Sequence, residues 1–460
     1  MKTQTRAAFS VAVSLLWLVI LCGVMTLTVM GEEPMDPPAT VNVKDFGAAG
    51  DGVTNDIPAI LTAVAALRDG DTLYFPSGTY LLHEYGTPSV ILIYGKKNIT
   101  IHLDDGATLR MDVVEDYATS KFTQHYMIHL WHCENVLVTG GRILGDRYAY
   151  TGSTHVDHGY AIRIADCRGV TVRGVEMAEM RGDGMCIFSD TEDENGLRGK
   201  SYDVTVEDCH IHDCFRNGIT MTSVEGCTVR NTEIHGIRGG MPQAAIDIEA
   251  EFPGSSNIDV TIEGCRFYDN GSWSVTTSKT AKNITIRDCS FTERLIIGPD
   301  SENVLVENCE LGYVSFRGVA ATLKSCRLTA ACFYGGEGSF KDCTFDGKDW
   351  ITYRVLVTDE HDLSKGSFEN CTFIGRGLSA LGGCIVFCHT RPLSMEFTDC
   401  RFKSCGLIPF LGYLEDVERE GCFFGLGWAL WLCILAFCAL VIFLTGRHIK
   451  KRNKRVWLCK

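Results

Sequence analysis

Asp247-Ile248-Glu249 sets two carboxylates at alternate positions of an extended stretch, so both point to one face with Cα atoms about 6.5 Å apart. Gly182-Asp183-Gly184 supplies a third carboxylate upstream, and Arg216-Asn217-Gly218-Ile219 adds a guanidinium and an amide. Two carboxyl groups roughly 6.5 to 9.5 Å apart leave room for a water between acid and base, the spacing of an inverting glycosidase. The chemistry expected is therefore acid–base cleavage of a glycosidic bond, with Asp247 as base and Asp183 or Glu249 as general acid. Arg163, Arg216 and Lys279 are suited to hold a uronate or other acidic sugar, and His158 and Asn217 complete the candidate substrate-binding set. Elimination is the other chemistry within reach: it needs a Lys or Arg base opposite a neutralised uronate, often with Ca²⁺, whereas hydrolysis needs no cofactor. No metal site is identifiable in the sequence. The bland alternative is that these charges are solvated, or paired with a neighbour on the next strand.

What brings such distant residues together is a repeated phrase. Val204-Thr205-Val206-Glu207-Asp208-Cys209-His210-Ile211 recurs as VTIEGCRF, ITIRDCSF, VLVENCEL, ATLKSCRL, GSFKDCTF, GSFENCTF and MEFTDCRF up to Phe402, with looser copies from Val136 onward. Each copy alternates apolar and polar residues, the pattern of a half-buried strand, and the Gly, Asn or Asp before the sixth position suits a tight bend. No copy can bury its own apolar face. Stacking the copies about 4.8 Å apart closes a continuous core, so the fold class expected is all-β, a single-stranded right-handed parallel β-helix. Cys at the sixth position in eight copies reads as a ladder of buried free thiols, since a relaxed disulfide wants a closer approach than neighbouring strands give. Aligning the Gly/Ala-then-apolar pairs of successive coils puts Arg163, Cys186, Thr220, Asp247 and Thr276 at one outward position.

The chain has 460 residues and a formal charge of −14. All 57 acidic residues fall between Glu32 and Glu420, while nine of the 43 basic residues lie outside that span, which leaves it at −23. So acidic a domain is a poor partner for nucleic acid. Two apolar runs flank it: Ala7 to Met30 after Lys2 and Arg6, and Phe423 to Leu444 before a basic tail. The domain order expected is a signal peptide or signal anchor over 1–31, a linker over 32–40, the β-helix over 41–402, a juxtamembrane segment over 403–422, a transmembrane helix over 423–445 and a basic cytoplasmic tail over 446–460. This puts the protein in the cell membrane with its β-helix on the extracellular side.

The run Val43-Lys44-Asp45-Phe46-Gly47-Ala48-Ala49-Gly50-Asp51-Gly52-Val53-Thr54-Asn55-Asp56 resembles the opening of the pectate-lyase-like superfamily, in particular its rhamnogalacturonase and epimerase-like branch with polygalacturonase relatives. Asp56 is placed to cap a helix whose Ile57, Ile60, Leu61, Val64 and Leu67 form an apolar stripe that covers the end of the coil. The resemblance implies a β-helix to about residue 402 and a polysaccharide as partner. The polygalacturonase set of Asn-Thr-Asp, an Asp-Asp pair, Gly-His-Gly and Arg-Ile-Lys is missing. A membrane-anchored extracellular carbohydrate-active protein, a glycoside hydrolase or polysaccharide lyase, is the function expected, and a non-catalytic glycan-binding or structural surface protein is the alternative.

Overall fold

The computed structural model describes residues 37–83, 89–111, 124–148, 158–278, 280–318, 320–346, 354–358, 364–375, 386–405, 410–412, 417–426 and 435–443. The repeated phrase forms strands that pair only in parallel, as a β-helix requires. Fifteen of them build one sheet, from Thr40–Asn42 to Val417–Glu420. Two further faces complete each coil. One carries short strands such as His210–His212 and Glu233–His235. The other carries Met185–Phe188, Asn217–Met221, Ala244–Glu249 and Trp273–Ser278.

The bend between the first two faces is made where the sequence places it. Asp208, Asp288, Asn308, Asp342, Asn370 and Asp399 adopt φ between 52° and 56°, a left-handed conformation that Asn and Asp tolerate better than other side chains. Stacked bends then pair their side chains: the Asn308 amide donates to Asp288 Oδ1 at 2.5 Å and Asn370 to Asp342 Oδ1 at 2.6 Å. Asn98, Asn283 and Asn370 match the glycosylation sequon, yet all three engage neighbouring coils in this way.

The eight sixth-position cysteines are buried and unbridged. Their thiols donate weakly to carbonyls around the bend, as Cys309 does to Glu307 O at 3.2 Å and to Ile286 O of the preceding coil at 3.7 Å. Towards the C-terminus the aliphatic core gives way to phenylalanine. Phe340, Phe368 and Phe397 stack at 4.8 and 4.6 Å, and Phe345, Phe373 and Phe402 form a second column.

Both ends differ from expectation. A helix runs from Ile57 to Ala66 and buries Ile57, Ile60 and Ala63, but the Asp56 side chain does not cap it. That carboxylate accepts instead from the Ala49 and Leu81 amides at 2.6 and 3.2 Å, while Asn55 Oδ1 takes the Ile57 N–H. At the other end the coil continues past residue 402: Val417–Glu420 pairs with Ser394–Thr398, and Phe423–Leu426 with Arg401–Cys405. Val417-Glu-Arg-Glu-Gly-Cys-Phe-Phe424 is one more copy of the phrase, its Gly421 at φ 60° and its Phe424 stacked on Phe402. The boundary at 402 and the start of the transmembrane run at 423 are corrected accordingly. No helix among the described residues is long and apolar enough to cross a membrane. A helix is described at 435–443, and most of the rest of the 423–445 run, like the 1–31 segment, lies outside the described residues.

The faces differ in what their contacts contribute. Arg173, Glu207, Arg230, Glu263, Arg287 and Glu307 alternate in sign up the first sheet, and Arg287 pairs with Glu263 at 2.8 Å. Half-exposed pairs of this kind contribute at most about 1 kcal/mol. Phe368→Ala is expected to destabilise the fold by about 3–5 kcal/mol because it opens a gap in a ring column, whereas Arg287→Ala is expected to leave stability nearly unchanged. Denaturant titration of both variants checks the contrast, and equal losses would contradict it.

Candidate functional site

The outward register derived from the sequence is the register observed. Arg163 pairs with Cys186, Cys186 with Thr220, Thr220 with Asp247 and Asp247 with Thr276. What the sequence reading missed is burial: Arg163, Cys186, Thr220, Asp247 and Thr276 are all under one tenth exposed. Solvated charge, one half of the bland alternative, is therefore corrected; its other half, pairing with a neighbouring coil, describes Asp183 and Arg216. The face is overlain by loops, as where Phe252 packs edge-on against Phe188 at 5.6 Å with Arg198 above its ring.

Asp183 sits wholly buried on the inner side of this network. Arg216 grips it with two hydrogen bonds, Nε to Oδ1 at 3.0 Å and Nη2 to Oδ2 at 3.2 Å. The Asn217 backbone N–H and the Thr220 hydroxyl add bonds of 3.1 and 2.7 Å. A carboxylate so enclosed has no lone pair left for a substrate, which corrects its candidacy as general acid: it is a positioning group. Burial pushes the Asp183 carboxyl up, and Arg216, Thr220 and the Asn217 amide pull it back. Burial pulls the Arg216 guanidinium down, but the Asp183 charge more than offsets this and raises it. Asp183 and Arg216 are therefore an ion pair, with Arg216 Nη1 making no hydrogen bond among the described residues.

From this pair a chain of hydrogen bonds reaches Asp247. Thr220 Oγ1 receives the Asn217 Nδ2 proton at 3.0 Å, the same amide lies 3.3 Å from Asp247 Oδ2, and Asn217 Oδ1 accepts from the Ala244 N–H at 3.0 Å. The amide is thus fixed in orientation by its partners. Among the described residues Asp247 has this one neutral donor, and burial, reinforced by the charge of Glu249, pushes its carboxyl up to about 7 against the pull of Arg216. Beside it opens a cleft of about 350 Å³ lined by Asp247, Glu249, Trp273, Ile296, Met241 and Arg317. Glu249 lies half-buried in its wall, in register with Ser278.

The remaining candidates separate from this centre. Arg163 lies three strands away, about 14 Å at the strand spacing. It is occupied by Asp190 at 2.7 Å and by the faces of Tyr126 and Phe188 at 4.4 and 4.7 Å. It locks a buried aromatic group in which Tyr126 and Tyr160 stack at 5.4 Å, so its assignment to substrate binding is corrected. His158 opens the strand His158–Ala165 and pairs with Gln124, a strand further from the cleft than Asp183. Lys279 lies outside the described residues.

Thr220, Trp273 and Arg317 were missed as site residues. Thr220 was legible as the residue in line with Asp247, whereas Arg317 comes from a later coil through an irregular connection that no spacing reveals. Also missed was a group on the short-strand face, where His210, Glu233 and His235 bring ligand atoms within 4.8 Å of one another. Its signal was the His-x-His of one copy of the phrase above the Glu-x-His of the next.

Residues 40–242 match the family described as rhamnogalacturonase A/epimerase, pectate lyase-like. This interval includes Asp183, Arg216 and Asn217 and stops five residues short of Asp247. The uncharacterized protein YclG of Bacillus subtilis is 28% identical over 259 residues, 51% of this chain and 43% of that protein. Mannuronan C5-epimerase AlgE2 of Azotobacter vinelandii is 29% identical over 267 residues, 50% of this chain and 25% of that protein. The chain thus spans less than half the length of these relatives. Among solved structures, the A-module of mannuronan C-5 epimerase AlgE6 from Azotobacter vinelandii aligns with a TM-score of 0.57 at 17% identity, covering 84% of this chain and 99% of that one. The pre-mature gene product 12 of bacteriophage phi29 aligns with a TM-score of 0.60 at 16% identity, covering 83% and 56%. These likenesses show the shared β-helix.

The raised Asp247 carboxyl has a thermodynamic consequence. The folded protein binds this proton more tightly than the unfolded chain, so the stabilising contribution is present at low pH and is lost as pH rises from about 4 through about 7. Asp247→Asn removes the charge but keeps an acceptor for Asn217. The variant is expected to be more stable than the parent above pH 7, by up to about 4 kcal/mol, and to converge with it near pH 4. Denaturant midpoints across pH check this, and a constant difference would contradict the assignment.

Proposed function

We propose, starting from the pectate lyase-like family to which residues 40–242 belong, that this chain is an extracellular enzyme that cleaves a polysaccharide by acid–base chemistry centred on Asp247. The observation that carries the reading is one buried carboxyl at about 7 on the wall of an open cleft, beside a carboxylate–guanidinium pair that fixes its surroundings. A group that titrates near the working pH can both give and take a proton. Asp183 and Arg216 cannot be traded for solvated charges without loosening Asn217, which orients Asp247. Arg216 Nη1 is the guanidinium proton donor left to meet an acidic sugar, and Trp273 offers an aromatic wall.

Glu249 is the second carboxylate of a hydrolase, with Asp247 and Glu249 sharing the acid and base roles. Hydrolysis on this plan needs no cofactor, whereas elimination from a uronate would recruit Ca²⁺ to neutralise the sugar carboxylate. The printed name of a relative supports a polysaccharide as partner: AlgE2 is named as a mannuronan epimerase. We place the domain outside the cell and anchor it by the charge-free residues 427–445, followed by seven bases.

The test is a panel of neutral and acidic polysaccharides incubated with the full-length chain, with reducing ends and unsaturated uronates measured separately. Turnover on at least one polymer is expected, with a pH profile that bends near 7. Asp247→Asn should lower turnover by about 10²-fold or more at unchanged fold. Binding to a polymer without turnover would favour a glycan-binding surface protein instead.

A further inference from the structure

The short-strand face carries a second group of side chains that the site on Asp247 does not use. His210 and Glu233 occupy the same position of adjacent coils, as do His212 and His235. The result is a cluster in which His210 Nε2 and His235 Nε2 lie 2.8 Å apart, with a Glu233 oxygen within 4.8 Å of both. The imidazole of His235 is held between the rings of His212 at 5.2 Å and Tyr268 at 4.7 Å, both nearly parallel to it. His212 is itself fixed by carboxylates, through Nδ1 to Asp213 at 2.8 Å and Nε2 to Glu176 at 3.3 Å. Glu233 is held by Tyr268 through one oxygen and by Arg266 at 3.3 Å through the other. The donor atoms are thus converged and pre-oriented by a ring of supporting contacts, the arrangement that gives metal ligands their affinity.

We propose that His210, His235 and Glu233 form a site for a divalent transition ion of the Zn²⁺, Ni²⁺ or Cu²⁺ class, which ties two neighbouring coils together. Two imidazole nitrogens that share one proton can share a metal instead. Bonds of about 2.0–2.1 Å in a tetrahedral site set the nitrogens about 3.3 Å apart, only about half an ångström wider than they stand. Two nitrogens and one carboxylate select such ions over Ca²⁺, which takes six or more oxygens. The coils joined are those that run on to Arg216 and to Asp247, so the ion would set the spacing of the two strands that carry the cleft. Among the described residues this is the group of His, Cys, Asp and Glu that meets the geometry of a metal site.

The test uses the full-length chain without a polyhistidine tag, stripped with chelator and dialysed against Zn²⁺ in the presence of excess Ca²⁺. One tightly held Zn²⁺ per chain is expected, with a rise in thermal midpoint that Ca²⁺ alone does not give. His210→Gln and His235→Gln should each weaken retention by at least about a hundredfold, while Arg287→Gln, on the first sheet, leaves it intact. Absorption of the Co²⁺-loaded parent chain provides a readout that needs no variant, with the intense visible bands of low-coordinate nitrogen ligation expected. The proposal is overturned by any of three results: no stoichiometric Zn²⁺, retention unchanged in both histidine variants, or the weak spectrum of hydrated Co²⁺. It is independent of turnover, so an inactive chain that binds Zn²⁺ in this way would reject the reading of Asp247 and leave the metal site standing.

Discussion

Everything in this molecule follows from the in-register stacking of one strand on the next about 4.8 Å apart. A position in the phrase becomes a column in the fold, and a column must tolerate like beside like or alternate its charges. Inward columns solve this with small apolar groups, thiols and stacked rings. On the first sheet the outward column solves it by alternating acids and bases from Arg173 to Glu307. The column through Asp247 does neither, because an acid stands there between Thr220 and Thr276 with no base on either adjoining coil. Its compensation comes from the side, through Asn217 and the Asp183–Arg216 pair.

That sideways support explains why a buried ion pair persists in a fold otherwise built from apolar columns. Two charges taken out of water are costly, and hydrophobic residues of similar volume are often at least as stable. Stability therefore does not account for Asp183 and Arg216. They do anchor the Asn217 backbone and the Thr220 hydroxyl, and Thr220 in turn holds the amide that meets Asp247. A buried pair of this kind stands in a part of the coil where packing alone would choose otherwise.

The coil, its bends and the alignment of Arg163, Cys186, Thr220 and Asp247 were legible because alternation of period two and a left-handed Asn, Asp or Gly leave marks in every copy. The final coil through Phe424 carries the same marks, hidden by its overlap with an apolar run. Burial was not legible. Whether an outward residue meets water depends on loops between the copies, and these have no period: Asp190, which takes Arg163 out of play, lies in such a loop. Asp56 shows the same limit at short range, since the backbone amides that claim its carboxylate come from both sides of the helix start. The histidine cluster falls between the two cases. His-x-His and Glu-x-His stand in plain view, but only the coil-to-coil register makes them neighbours.

The outward column also bounds where recognition can happen. It is polar through Thr220, Asp247 and Thr276 and then becomes Ile296, Ser315, Cys332 and Leu356. Thr220, Ile296 and Ser315 are buried, so among the described residues the column is reached where the cleft opens beside Asp247 and Thr276. On the function proposed, specificity for a polymer is concentrated at the central coils, within about three strand spacings, or roughly 15 Å. The columns of phenylalanine beneath the later coils contribute rigidity and no polar group to read a sugar. Extending the repeat thus lengthens the scaffold without lengthening the polar part of the site, which is why the irregular loops near residues 236–243 and Arg317, and not the number of coils, shape the cleft.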